Sequence, residues 1–198
     1  MNITEIFYSI QGEGGRAGTP TIFIRLQGCK AKYACLASGI VCDTEYESGK
    51  DYSIADIEQW IYANAKHCKD ITWTGGEPLD QLTNEITAHF KNLGFHQSIE
   101  TSGLHPLVQN LDYVTISPKV AEHILEKNIT QEIDELRYVR HKGQSIPNPS
   151  LKAKRKYLSP HSNGFHIDME NVKHCIQLCL ENPQWKMSVQ YHKLWKVI

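Results

Sequence analysis

Short runs of β-branched and aromatic residues recur along the chain, at Ile3–Ile10, Thr21–Gln27, Asp70–Thr74, Gln97–Thr101, Tyr113–Ser117, Glu135–Arg140 and Met187–Tyr191. Each has the length and make-up of a strand. Helical periods fall between several of them. Ser53 is placed to cap a helix over Ile54–Ala65, with Ile54, Ile57, Trp60 and Ile61 on one face. Thr83–Leu93 reads as a second helix closed by Gly94. Asp168–Asn182 reads as a third, with Val172, Cys175, Ile176 and Cys179 as its buried stripe. Alternating strands and helices imply βα units and a largely parallel sheet. A closed eight-fold barrel takes about 250 residues, and this chain has 198, so the pattern predicts an α/β fold built as an open or incomplete barrel. No repeat or linker breaks the pattern, and residues 1–198 read as one domain. The segment His141–Pro160, rich in Pro, Lys and Ser, reads as a loop or lid.

In such sheets ligands gather beyond the C-terminal ends of the strands. The residues with chemistry to offer sit there. Cys29 follows the second strand, Thr74-Gly-Gly-Glu-Pro78 the third, Glu100-Thr-Ser-Gly103 the fourth and Ser117-Pro-Lys119 the fifth.

Composition narrows the function classes. The chain is 40% hydrophobic and 22% charged, with a formal net charge of −1, so no global basic field points to nucleic acid. The local basic run Lys152-Ala-Lys-Arg-Lys156 reads as a solvated loop. No apolar run approaches the roughly 20 residues of a membrane span. The opening Met1-Asn-Ile-Thr-Glu has neither a basic n-region nor a signal-like core. The expectation is a cytoplasmic protein, in which clustered cysteines serve as metal or redox ligands rather than disulfides.

Three of the six cysteines, Cys29, Cys35 and Cys42, fall within one short segment. Three thiolates with no fourth nearby suit a metal centre that keeps one position open for a reacting ligand. Cys175 and Cys179 read as core thiols on a helix, and the His67-Cys68 pair as structural. Around the thiol segment, the two glycines of Thr74–Pro78 expose backbone to a ligand, and Glu77 is an acceptor for a cationic group such as an α-amine. Gln11-Gly-Glu-Gly-Gly15 combines glycines for close approach with Gln11 and Glu13 as polar edges for a planar heterocycle. It lacks the Gly-Lys-Ser/Thr of a phosphate-binding loop. Arg25, on an alternating strand, is either a bidentate carboxylate clamp or an edge charge facing water. Thr44 offers a hard oxygen suited to Mg²⁺.

The combination of a three-cysteine loop with Gly-Gly-Glu-Pro, Glu-Thr-Ser-Gly and Ser-Pro-Lys resembles the radical S-adenosylmethionine superfamily. The fuller set is Phe7–Gly14, Phe23–Cys29, Cys42–Thr44, Thr74–Pro78, Ser117–Lys119, Tyr157–Pro160 and Ser188–Lys193. It resembles the 7-carboxy-7-deazaguanine synthase family and runs nearly end to end. The resemblance implies a compact variant of the incomplete (β/α)6-type partial TIM barrel. It also implies a homodimer, an electron donor such as flavodoxin or ferredoxin, and a role in queuosine biosynthesis without direct contact to nucleic acid. The implied reaction turns 6-carboxy-5,6,7,8-tetrahydropterin into 7-carboxy-7-deazaguanine with loss of ammonia, using a [4Fe–4S] cluster, S-adenosylmethionine and Mg²⁺.

Residue by residue, the resemblance assigns Cys29, Cys35 and Cys42 to the cluster and Thr44 to Mg²⁺. Gly75, Gly76 and Glu77 fall to the methionyl end of the cofactor. Val41, Cys42, Asp43, Glu100, Ser117, Pro118, Lys119 and the segment Leu158, Ser159, Pro160 and His161 fall to the rest of it. Ile10, Gln11, Gly12, Glu13 and Thr74 fall to the pterin, Arg25 to its carboxylate, and Gln190 and His192 to a C-terminal segment closing on the substrate. One departure stands out. The superfamily spacing is Cys-x3-Cys-x2-Cys, whereas this chain has Cys-x5-Cys-x6-Cys, with Gly39 where a cysteine is expected. The readings set against this family are another radical S-adenosylmethionine enzyme, such as a glycyl-radical activase, and a non-catalytic zinc module using the three thiols with Cys68 or His67.

Overall fold

The computed structural model describes residues 1–37, 42, 44–162, 164 and 166–197. Its strands are β1 (Asn2–Ile10), β2 (Pro20–Leu26), β3 (Lys50–Asp51), β4 (Asp70–Gly75), β5 (His96–Thr101), β6 (Tyr113–Ile116), β7 (Ile133–Arg140), β8 (Ala153–Pro160) and β9 (Lys186–Met187). They form one sheet in the order β3-β1-β2-β4-β5-β6-β7-β8-β9. β1 runs antiparallel to both β2 and β3. From β2 onward every neighbouring pair is parallel. The expected incomplete barrel is therefore what forms, with an antiparallel hairpin added at one edge.

The helices are α1 (Lys32–Ala37), α2 (Ile54–Asn64), α3 (Asn84–Asn92), α4 (Glu122–Leu125), α5 (Met169–Glu181) and α6 (Tyr191–Trp195). Three start as their sequences dictate. Ser53 and Asp56 cap α2 reciprocally, each side chain bonding the other's backbone N–H. The Thr83 hydroxyl accepts from the Ile86 N–H, and the Asp168 carboxylate from Glu170 and Asn171. Gly94, with φ +78°, takes the left-handed turn that ends α3.

Alternation along each strand sorts the side chains onto two unlike faces. Outward, Ile22, Ile24 and Leu26 of β2, Ile71 and Trp73 of β4 and Ile99 of β5 meet Ile57 and Ile61 of α2 and Phe90 of α3 in the main core. Ile116, Leu125, Ile133 and Leu136 build a second core, and Leu158, Cys175, Leu178 and Trp185 a third. Inward, the register aligns polar groups: Arg25 beside Thr74, Thr72 beside Ser98, Glu100 beside Thr115, Thr115 beside Glu135, and Arg137 beside Tyr157. A sheet whose inner face is this polar is built to hold a polar ligand rather than to fill itself with side chains.

Three expectations are corrected, and one of the two readings of Arg25 is set aside. The proposed loop over His141–Pro160 contains β8, and Lys152–Lys156 mostly forms its first half. Arg155 and Lys156 pair with Glu135 and Leu136, so the flanking strand supplies the order that the charged composition hides. The strand expected over Met187–Tyr191 stops at Met187, because Ser188 turns the chain towards α6. The buried stripe of α5 is Val172, Cys175 and Leu178, with Cys179 partly buried and Ile176 43% exposed. Arg25 is no edge residue facing water, since β2 lies between β1 and β4. No helix among the described residues is long and apolar enough to cross a membrane.

Candidate active site

β2 delivers the chain to Gly28, which turns with φ +86° into Cys29. The Gly75-Gly76 pair at the end of β4 lies directly against this turn. The Gly76 N–H donates to the Leu26 carbonyl (3.1 Å) and the Glu77 N–H to the Gly28 carbonyl (2.9 Å). A Cβ on Gly76 would collide with the Gly28 carbonyl oxygen and come within 2.9 Å of the Cys29 Cβ, and Gly75 holds φ +127°. Both positions therefore require glycine.

From Cys29 the chain enters α1, which carries Cys35 on its buried side. Cys29, Cys35 and Cys42 line one cavity of about 420 Å³, together with Lys32, Leu36, Thr44, Glu45, Tyr46 and Glu47. Burial, with added repulsion from Glu77 and the other two thiols, pushes the Cys29 thiol up to about 11. Burial also raises Cys35, offset in part by the nearby Lys119 ammonium. Among the described residues no three His, Cys, Asp or Glu side chains close around a single ion. Thiolates that each bind a different iron need no such convergence. Cys68 lies apart, in the main core, its thiol against the Pro20 and Asp70 carbonyls. The donor set thus fits an open iron–sulfur centre better than a zinc site drawing on Cys68.

The Gly-Gly-Glu-Pro segment has an internal brace. Glu77 is 1% exposed. Its carboxylate accepts from the Leu79 N–H (3.2 Å), the Thr101 hydroxyl (2.5 Å) and both the N–H (2.9 Å) and hydroxyl of Ser102. Thr101 and Ser102, from the Glu-Thr-Ser-Gly run, hold this acid and so fix the backbone before it. Lys119 donates to the Ser117 hydroxyl at 3.0 Å. The His161 ring stacks on His141, with centroids 4.1 Å apart. Ser159 is buried, and its hydroxyl has no hydrogen-bond partner among the described residues. An unpaired buried hydroxyl is costly, so its natural reading is a ligand contact. The Leu158 side chain faces the third core, and its carbonyl accepts from the Ser188 N–H at 2.9 Å. Val41 and Asp43 lie outside the described residues.

The inner face carries the second half of the site. Arg25 donates through Nε to Glu5 at 2.6 Å and lies over the Phe7 ring. A guanidinium has five N–H donors, and this contact uses one. Next along the face comes Thr74, whose hydroxyl reaches Glu100 at 3.4 Å, and Gln11, whose amide reaches Glu100 at 3.3 Å. Glu100, expected beside the cofactor, thus turns to the group assigned to the substrate, because alternation along β5 sets it inward. The loop between β1 and β2 adds Glu13. Its carboxylate accepts from Arg137 (2.8 Å) and from the Gln190 amide (3.1 Å). The side-chain oxygen Oε1 of Gln190 is buried with no hydrogen-bond partner among the described residues. The Tyr191 N–H donates to the Gly12 carbonyl at 3.0 Å, and a Cβ on Gly12 would overlap His192. Ile10 ends β1 and is 38% exposed.

Arg137 and Glu135, at the centre of this face, are absent from the sequence-based assignment. The available signal was two opposite charges two apart on a strand of a parallel sheet, which alternation must point the same way.

An open, mostly parallel sheet with three thiols beyond its first parallel strand is the arrangement of the radical S-adenosylmethionine enzymes. No family model matches the chain. Its relatives do. It is 34% identical over 197 residues to the 7-carboxy-7-deazaguanine synthase of Bacteroides thetaiotaomicron, covering 97% of this chain and 96% of that protein. It is 33% identical over 203 residues to that of Haemophilus influenzae, covering 98% and 92%. The crystal structure of QueE from Escherichia coli superposes with a TM-score of 0.69 at 24% identity, over 96% of this chain and 93% of that one. The chain belongs to the 7-carboxy-7-deazaguanine synthase family. It is therefore a radical S-adenosylmethionine lyase, of a class that uses a [4Fe–4S] cluster and S-adenosylmethionine.

Proposed function

We infer that this chain converts 6-carboxy-5,6,7,8-tetrahydropterin to 7-carboxy-7-deazaguanine with release of ammonia, as a step towards queuosine. One observation carries the reading. The cavity bordered by Cys29, Cys35, Cys42 and Thr44 opens off the strand end that leads, by way of Arg25 and Thr74, onto an inner face of carboxylates. A thiol cluster and a polar cradle for a small heterocycle are thus linked through the Arg25–Thr74 pairing and the Thr74 contact to Glu100.

Cys29, Cys35 and Cys42 hold the cluster, and Thr44 gives Mg²⁺ a hydroxyl oxygen. When bound, the cluster and S-adenosylmethionine supply one-electron reduction and hydrogen-atom abstraction. The chain's own part is binding, orientation and exclusion of water. Gly75 and Gly76 present backbone to the methionyl end, with Glu77 as the nearby negative charge. Cys42, Ser117, Pro118, Lys119, Leu158, the Ser159 hydroxyl, Pro160 and His161 line the nucleoside end, where Val41 and Asp43 are assigned as well. Arg25 binds the pterin carboxylate. Thr74, Gln11, Glu13 and Glu100 offer hydrogen bonds to the ring, between the backbone of Ile10 and Gly12 and the closing segment of Gln190 and His192. Residues 1–198 act as one domain, paired as a homodimer in the cytoplasm and reduced by flavodoxin or ferredoxin.

The test is the reaction itself. Protein reconstituted anaerobically with iron and sulfide is given the carboxytetrahydropterin, S-adenosylmethionine and Mg²⁺. Mass spectrometry follows product and 5′-deoxyadenosine. Formation of carboxydeazaguanine is expected. A brown protein that cleaves S-adenosylmethionine but leaves the pterin intact would show that the substrate is another one.

A further inference from the structure

Arg137 is buried, with its side chain 9% exposed, and meets three carboxylates. Its Nε and one terminal nitrogen hold Glu135 at 2.8 and 2.7 Å. Its other terminal nitrogen is shared between Glu13 at 2.8 Å and Glu100 at 3.2 Å. Two carboxylates bonded to one nitrogen lie close together, and the guanidinium between them offsets their mutual repulsion. Glu135 needs nothing further: it is fully buried and also accepts from the Gly15 N–H (2.8 Å) and the Tyr113 hydroxyl (2.9 Å). It anchors the guanidinium. Glu13 and Glu100 are the more open pair, with side chains 18% and 27% exposed, and they face the cradle between Gln11 and Thr74.

We propose that Arg137 is a positioning residue for substrate specificity. It fixes Glu13 and Glu100 side by side, so that together they accept the N–H donors of the 2-amino-4-oxo edge of a pterin. Arg25 lies at the far end of the same row of inner-face residues, where it meets the carboxylate of the ligand. The row therefore reads both ends of the molecule. A site built to accept N–H donors rejects a ring that lacks them, because its own charges are then left unpaired. This rests on the function proposed above.

The other charged and titratable groups facing the pair are Glu135, Tyr113, Arg155 and Tyr157 from the sheet, Arg16 from the Gln11–Thr19 loop and His192 from α6. Their effects are separated by the choice of variants. The probe is 6-carboxypterin, a stable fluorescent analogue, titrated into the reconstituted enzyme across pH, alongside kcat/KM for the carboxytetrahydropterin. Arg137→Gln is expected to weaken binding by about tenfold or more and to raise KM more than it lowers kcat. Its acid limb should move to higher pH, because the two carboxylates then repel each other with no guanidinium between them. Arg137→Lys, which keeps the charge, should leave the limb where it is in the native enzyme. Adding Glu13→Gln to Arg137→Gln removes one of the repelling charges, and the limb should return to lower pH. A limb that stays put in Arg137→Gln, or one that the added Glu13→Gln leaves raised, overturns the proposal. If Arg137→Gln does not fold, the comparison of Arg137→Lys with Arg137→Met carries the same test. If the native enzyme binds no 6-carboxypterin and turns over no carboxytetrahydropterin, the functional reading fails, and this one with it.

Discussion

The two ends of the site are built on different terms. The thiol end is lightly held: Cys29 sits on a glycine turn, Cys35 on a helix of six residues, and Cys42 is exposed. The carboxylate end is wired from within. Arg137, Glu13, Glu100 and Glu135 are tied to β5, β7, the Gln11–Thr19 loop and the segment before α6. An end that takes its geometry from a metal cluster has little need of other contacts. An end that must read a heterocycle has to be arranged beforehand, since mobile polar groups cost affinity when they are ordered on binding.

The contrast predicts that changes at the thiol end cost activity and changes at the carboxylate end cost stability as well. The largest effect is expected from replacing Cys29, Cys35 or Cys42 by Ala. Each should abolish turnover and the iron–sulfur absorbance, while Cys175→Ala keeps both. Retention of cluster and activity by Cys35→Ala would remove that residue from the ligand set. Glu135→Gln comes next. Loosening a buried, paired charge costs about 3 kcal/mol, to be read by denaturant unfolding, and a cost near zero would refute the wiring. Gly76→Ala should cost about 2 kcal/mol through backbone collision and also lower cluster content, because Gly76 packs on the turn that carries Cys29. Cys42→Ala should change stability by less than about 0.5 kcal/mol.

The smallest effect tests a region remote from both ends. Burial works to raise Asp112, yet the Lys91 ammonium and the Gln97 N–H hold its carboxyl below the usual range. A depressed folded-state value means that the stabilisation is present above the unfolded value and lost as pH falls through the folded one. Asp112→Asn should therefore lower the melting temperature at neutral pH and progressively less in acid. An equal loss at both would assign the effect to packing instead.

Much of this was legible in the sequence, and the failures share a cause. α2, α3 and α5 were recognisable because Ser53, Thr83 and Asp168 cap them locally. The strand ends were legible because Cys29, Gly75, Glu100 and Ser117 follow periodic runs. β8 was missed because its order comes from β7, a neighbour that composition does not reveal. Arg137 was missed for a related reason. Its partners come from residues 13, 100 and 135, and a charge on a strand reads as a surface group until the sheet is known to curl around it. A motif ties Glu100 to Thr101 and Ser102, whereas the pleat turns its carboxylate towards Gln11, Thr74 and Arg137.

The bond from Gln190 to Glu13 joins residues 177 positions apart, and the Ser188 hydroxyl accepts the Gly14 N–H across 174. During synthesis the Gln11–Gly15 loop emerges early and then waits for almost the whole chain before its partners exist. Closing so long a loop is entropically slow. The sheet can grow strand by strand as the ribosome advances, but the contacts that fix the Gln11–Gly15 loop are among the last that the nascent protein makes.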